Sequence, residues 1–240
     1  MISRAIVSLC FESVDSFESN LSHLIELIGQ TPDDAIIVAP EVCLSGFSYD
    51  RFSEAANFTP YAIEKIYTVL GNRALIFTAI AKELDGFYNN AYVLHKNEII
   101  HTQPKVKLFT IGGEMEHFKS GTMDDIVIFE LDGIKISIII CFEMRFKDIW
   151  QRLEGSDIIA VPARWGKPRL AHFVTLTNAL AVINQCFVVA SDASGDEFSG
   201  MSGIIDPFGV ELRNSDSEVL VGNFESRQIK AMRRYLSVGI

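Results

Sequence analysis

The sequence predicts an α/β protein in which helices cover β-sheets. Three observations carry this reading. Short apolar, β-rich runs alternate with stretches of helical spacing. The order strand-helix-strand-helix-strand-strand occurs in each half of the chain. Asp85-Gly86 and Asp132-Gly133 are turn signals that join neighbouring runs into hairpins. With 240 residues and no linker, repeat or low-complexity tract, the chain is expected to form a single domain over 1–240. A domain of that size buries roughly three quarters of its unfolded surface and needs no disulfide or metal.

The elements follow in order. Residues 4–11 (RAIVSLCF) read as a buried strand. In 15–30, Phe17, Leu21, Leu24, Ile25 and Ile28 fall at helical spacing. Residues 35–39 (AIIVA) are a second buried strand, ended by Pro40. A helix is expected over 60–72, with Pro60 in its first turn. Residues 74–84, 90–95 and 98–102 read as strands, and 103–124 as a long glycine-containing loop of the kind that often carries function. Strands are expected at 126–131 and 135–140, a helix at 146–154 and a strand at 157–161. A long amphipathic helix at 170–184 leads to strands at 187–191, 203–206 and 219–224. The chain closes on a basic helix or arm within 226–240.

Composition narrows the function classes. Hydrophobic residues make up 48% and charged residues 22%, which argues against disorder. The net charge of -10 disfavours nucleic acid and anionic membrane surfaces as partners, because both reward Lys and Arg. No run approaches the ~20 apolar residues of a membrane span, and the first residues lack a signal-peptide pattern. The four cysteines form no Cys-x-x-Cys pair. A cytoplasmic protein with reduced thiols, no metal and no cofactor is expected.

Four residues are candidates for chemistry, each against a plainer reading: a buried structural cysteine at Cys141, solvent-facing loop carboxylates at Glu41 and Glu114, and a solvated lysine at Lys105. Cys141 follows a strand and precedes a helix; a nucleophile at such a turn is exposed to backbone N–H groups, and a helix N-terminus favours the thiolate. Glu41 stands at the C-terminal end of a buried strand, where α/β sheets place their sites, and burial suits it to act as a base. Lys105 can stabilise a developing oxyanion, but Lys107 lies two residues away, and in an extended segment both face one side. Glu114 can orient the lysine, with Glu116 as its rival. His117 and His172 allow a papain-like pair but lack the local signature of such enzymes.

Together these segments resemble the nitrilase (carbon–nitrogen hydrolase) superfamily. Pro40-Glu41 with Leu44-Ser45-Gly46-Phe47 is similar to its glutamate segment. Lys105 with Leu108-Phe109 resembles its Lys-x-x-Leu-Phe segment, which favours Lys105 over Lys107. Glu114, Phe118 and Gly121 resemble the second glutamate segment, and Cys141-Phe142-Glu143-Met144-Arg145-Phe146 the cysteine segment. Pro162-Ala163-Arg164-Trp165, residues 178–185 and Gly203-Ile204-Ile205-Asp206-Pro207-Phe208-Gly209 resemble further family segments, so the likeness runs to about Phe224. Lys147-Asp148, Leu180, Val182 and Ile183 depart from the pattern, which bears on the substrate and leaves Glu41, Lys105 and Cys141 in place.

The resemblance implies a four-layer α-β-β-α sandwich with two mixed sheets. It also implies a homodimer or higher homo-oligomer, built on the helices near 146–154 and 170–184 with help from the C-terminal arm. The implied activity is hydrolysis of a small amide through a Cys141 thioester. Glu41 is the base, Lys105 and the Phe142 N–H hold the oxyanion, and Glu114 positions the lysine or water. An ω-amidase-like reaction on the monoamide of a dicarboxylic acid leads, with Arg145 or Arg164 on the substrate carboxylate and Trp165 beside it. The competing expectation is that these arginines form structural salt bridges. Nitrile or N-carbamoyl hydrolysis uses the same residues. A transferase, a glutaminase subunit and a non-catalytic binding protein on the same fold are rival classes.

Overall fold

The computed structural model describes residues 1–214 and 216–240. β1 (Ser3–Leu9) and β2 (Ile36–Val38) run parallel, joined by α1 (Phe17–Gly29). Ser16 caps α1, its hydroxyl accepting from the Ser19 N–H, and Phe17, Leu21, Leu24, Leu27 and Ile28 form the buried stripe. After α2 (Phe52–Leu70), β3 (Ala74–Glu83) pairs parallel with β2. β4 (Gly86–His95) and β5 (Glu98–Pro104) then add antiparallel.

α2 begins earlier than the sequence suggests, so Pro60 lies inside the helix and not in its first turn. The helix tolerates the missing donor because its buried face runs unbroken through the proline, from Phe52, Ala55, Ala56 and Thr59 to Ala62, Ile63 and Ile66. Full burial of each large aliphatic residue stabilises by about 1.5–3 kcal/mol. The expected loop at 103–124 holds the end of β5, a 3-10 turn at Thr110–Gly112, the short helix α3 (Glu114–His117) and a second 3-10 turn.

The second half repeats the plan. β6 (Phe129–Leu131) pairs antiparallel with β7 (Ile134–Ile138), and β7, β8 (Ile158–Ala163) and β9 (Phe187–Asp192) run parallel. α4 (Lys147–Arg152) and α5 (Leu170–Asn184) connect them, and β10 (Gly203–Ile205) and β11 (Glu211–Arg213) close the sheet antiparallel. β11 is three residues long and partly exposed, too short and polar to register in the sequence pattern. β12 (Val219–Glu225) crosses to the first sheet and pairs with β1.

The result is two mixed six-stranded sheets, ordered β12-β1-β2-β3-β4-β5 and β11-β10-β9-β8-β7-β6. Strand alternation decides the layers. Ile6, Ile36, Val38 and Ile76 point between the sheets, against Ile136, Ile138, Ile158 and Val189. Val7, Leu9, Ile37 and Phe77 point outward beneath Leu21 and Leu24 of α1 and Ile66 of α2. The sandwich is α-β-β-α. The terminal helix α6 (Ser226–Tyr235) buries Ile229 and Met232 on its own chain, and Arg233 Nη2 donates to the Ser156 carbonyl at 2.7 Å. Among the described residues no helix is long and apolar enough to cross a membrane, and all four cysteines are free thiols.

Candidate active site

Strand ends from both sheets meet at one edge of the sandwich. The segment after β2 places Glu41, whose N–H donates to the Ala163 carbonyl at the end of β8 at 3.0 Å. The next residue, Val42, has φ +43°, a region that β-branched residues rarely enter, and its N–H is tied to Thr78 Oγ1 at 2.7 Å. Cys141 also sits at positive φ, +47°, on the 3-10 turn Cys141–Arg145 that follows β7. α4 begins only at Lys147, so the expected placement of Cys141 at an α-helix N-terminus is replaced by this strained turn.

Lys105 is the hub of the site. Its side chain is fully buried, and Nζ donates to Glu41 Oε1 at 2.7 Å and to Glu114 Oε1 at 2.8 Å. Burial alone would depress the ammonium, but the two carboxylates outweigh it and hold Lys105 above the ordinary lysine range. Glu114, buried on α3, is raised by burial against the pull of Lys105, and its Oε2 accepts from the Phe109 N–H at 3.0 Å. Both rivals separate in space. Lys107 is half-buried and pairs with Asp148 at 3.3 Å, and Glu116 is exposed. Alternation did not distinguish Lys105 from Lys107 because β5 ends at Pro104 and both lie beyond it.

A small pocket opens in front of this cluster. Glu41, Glu114 and Cys141 line its base, and Phe142, Arg145, Arg164 and Trp165 line its walls. Glu41, Glu114, Cys141, Phe142, Arg145, Arg164 and Trp165 therefore converge, with Lys105 buried behind its two carboxylates. Burial first, and then the Glu41 carboxylate, push the Cys141 thiol well above its usual range. The Lys105 ammonium and the Arg164 backbone pull it back. A thiol held above its usual range beside a carboxylate calls for a base to make the thiolate. His117 stacks on Tyr49 at 4.2 Å and His172 pairs with Arg145 at 3.0 Å; both are exposed and neither lines the pocket.

The arginines are not in salt bridges. Arg145 lies over the Trp165 ring at 5.0 Å. Arg164 donates to Ser13 Oγ at 3.2 Å and covers the Phe198 ring at 4.3 Å. Arg169, which the sequence did not single out, lies over Phe109 at 5.2 Å and also lines the pocket. Among the described residues, none of the three has a carboxylate within ion-pair distance.

Three polar residues that the sequence reading missed hold the frame. Glu143, fully buried, accepts from Ile140 N–H and Val106 N–H at 2.6 Å each, so one carboxyl joins the cysteine turn to the lysine segment. Burial pushes it up to about 7, against the lowering effect of those N–H groups. Asp192 accepts from the Trp165 N–H at 2.6 Å and from the Ser199 hydroxyl, and burial pushes it up to about 7 as well. Asn89 Nδ2 donates to Glu41 Oε1 at 2.7 Å. Its signal was available: Asn89 shares the inward face of β4 with Ala91 and Val93, and a polar residue on a buried face must find partners. Among the described residues no His, Cys, Asp and Glu cluster is arranged to hold a metal ion.

A two-sheet sandwich carrying a buried lysine between two carboxylates beside a cysteine defines the class as that of the nitrilase-type hydrolases. Residues 12–234 match the carbon-nitrogen hydrolase family model, and the chain belongs to that family. It is similar to the 2-oxoglutaramate amidase of Bacillus subtilis, at 31% identity over 76% of this chain and 74% of that one. It is likewise similar to omega-amidase YafV of Escherichia coli K12, at 29% identity over 90% of this chain and 86% of that one. In fold it is similar to XC1258 of Xanthomonas campestris, a CN-hydrolase superfamily protein (TM-score 0.85, 21% identity, covering 98% and 96% of the two chains).

Proposed function

We propose that the protein hydrolyses the C–N bond of a small ω-amide, the monoamide of a dicarboxylic acid, through a thioester on Cys141. Glu41 takes the Cys141 proton and the sulfur attacks the amide carbon. Lys105 and the Phe142 N–H hold the oxyanion. Two of the three Lys105 protons are engaged by the carboxylates, which leaves one for the oxyanion. Glu41 returns the proton to the leaving ammonia. Water, activated by Glu41 and positioned by Glu114, then releases the acid. The observation that carries this reading is the buried Glu41–Lys105–Glu114 cluster, joined through Lys105, at the base of a pocket lined by Cys141.

The substrate class is supported by Arg145, Arg164 and Arg169. A pocket edged by three arginines without carboxylate partners suits a substrate that brings its own carboxylate. The names of the two amidase relatives agree with that choice. The test is ammonia release from a panel of ω-amides, carbamoyl compounds and nitriles by wild type and Cys141→Ala. Release from ω-amides by wild type alone is expected, with a loss of about 10⁴-fold or more in the variant. Equal release from both proteins rejects the nucleophile assignment.

A homodimer through α5 belongs to the same reading. Val182 and Ile183 on α5 and Phe208, Val210 and Leu212 are between 44% and 67% exposed, and the turn at Gly209 lies against Val182, which offers apolar surface for a second copy. Sedimentation is expected to give a dimer, and Ile183→Glu a monomer. A monomeric wild type at micromolar concentration rejects this part.

A further inference from the structure

We infer that Asn89 selects which oxygen of Glu41 acts as the base. The inference rests on the hydrolytic reading above and assigns a positioning role within it. Two donors, Asn89 Nδ2 and Lys105 Nζ, both lie 2.7 Å from Glu41 Oε1. Glu41 Oε2 is buried and, among the described residues, has no hydrogen-bond partner. A carboxylate whose donors all fall on one oxygen keeps its proton affinity on the other. An unpartnered oxygen in a dry site is costly, and the cost is relieved when it takes a proton. Oε2 is thus the oxygen poised for the Cys141 proton, and Oε1 the one kept out of the reaction.

Asn89 holds both ends of this arrangement. Its side chain fixes Glu41, while its main-chain carbonyl accepts from the Lys105 N–H at 2.8 Å. β4 turns the side chain inward beside Ala91 and Val93, so the amide is rigidly aimed. Its Oδ1 is buried and, among the described residues, has no partner, so the donated bond alone recommends an amide over an apolar residue there. The donated bond is the reason for Asn. Without it the Glu41 carboxylate is free to rotate about its terminal torsion and share Lys105 between both oxygens.

The test uses Asn89→Leu, which removes the donor, and Asn89→Asp, which keeps the shape and removes the donor when ionised. Both are expected to lower kcat by about 10²-fold with KM within twofold of wild type, because the substrate pocket is untouched. The rate of Cys141 alkylation by iodoacetamide at neutral pH is expected to fall in step, since that reaction also needs the sulfur proton removed. Alkylation needs no substrate, so it tests Asn89 even if the amidase reading fails. Wild-type kcat and wild-type alkylation in both variants overturn the assignment, as does a loss expressed in KM alone. Should Asn89→Leu not fold, Asn89→Asp decides by the same measures.

Discussion

Strands β2 and β8 hold the same place in the two halves of the chain. Each lies between two parallel neighbours, β1 and β3 in one sheet, β7 and β9 in the other. Each is followed within a few residues by a charged side chain, Glu41 in the first half and Arg164 in the second, and the two ends are joined by the Glu41 N–H on the Ala163 carbonyl. The charges are treated differently. Glu41 is fully buried and bonded to Lys105 and Asn89. Arg164 borders the pocket on an aromatic ring and a hydroxyl. One framework thus delivers, from matching strand ends, a charge kept dry and a charge a ligand can reach.

The cysteines repeat the contrast. Cys10 lies two residues past the last parallel bridge of β1, at Ser8, and Cys141 three past that of β7, at Ile138. Cys10 Sγ is spent on the Gly200 carbonyl at 3.4 Å, and burial raises its thiol. Cys141 is lifted into the pocket by positive φ, and its nearest charges are Glu41 and Lys105. Equivalent topology therefore yields one thiol held on a main-chain carbonyl and one that lines the pocket.

Three substitutions sharpen the comparison. The largest effect is expected on the dry side: Glu41→Gln should cost about 10³-fold in kcat, read by ammonia release, since an amide cannot take the sulfur proton. Loss below tenfold would show that another base serves. On the ligand side, Arg164→Ala should raise KM for a carboxylate-bearing amide by about 10- to 100-fold and leave an uncharged amide within a fewfold. An equal rise for both substrates would assign Arg164 to the frame.

The smallest effect concerns Glu143, held by the backbone N–H groups of Ile140, Val106 and Lys107. Its carboxyl lies near 7 in the fold against 4.5 unfolded. A folded value above the unfolded one means stability present below about pH 4.5 and lost as pH rises toward 7. Glu143→Gln should lower Tm at pH 4.5, where the native carboxyl is protonated, and flatten the wild-type fall in Tm between there and pH 7. Parallel Tm profiles in the two proteins would reject this account.

Much of the site was legible because its residues carry local signatures. The strand end at Pro40 and the strand-to-turn boundary at Cys141 made Glu41 and Cys141 candidates, and the likeness to family segments singled them out and favoured Lys105, with Leu108-Phe109, over Lys107. Helix α2 was misplaced because Pro60 was read as a start, when the buried face from Phe52 onward overrides the lost hydrogen bond. Glu143 was quoted in the cysteine segment but given no role, since its partners Val106 and Lys107 lie far along the chain. Arg169 was passed over because nothing local distinguishes a pocket arginine from a surface one.

The sequence by itself determined the alternation of strands and helices, the inward faces and the residue types that do chemistry, because hydrophobic periodicity and turn chemistry act over a few residues. Only the tertiary structure decided which oxygen of Glu41 is bare, that burial holds the Cys141 thiol above its usual range, and that, among the described residues, the three pocket arginines have no carboxylate partner. Those are properties of charges brought together from distant segments and stripped of water, and electrostatics at that range depends on distance and burial that no local pattern encodes.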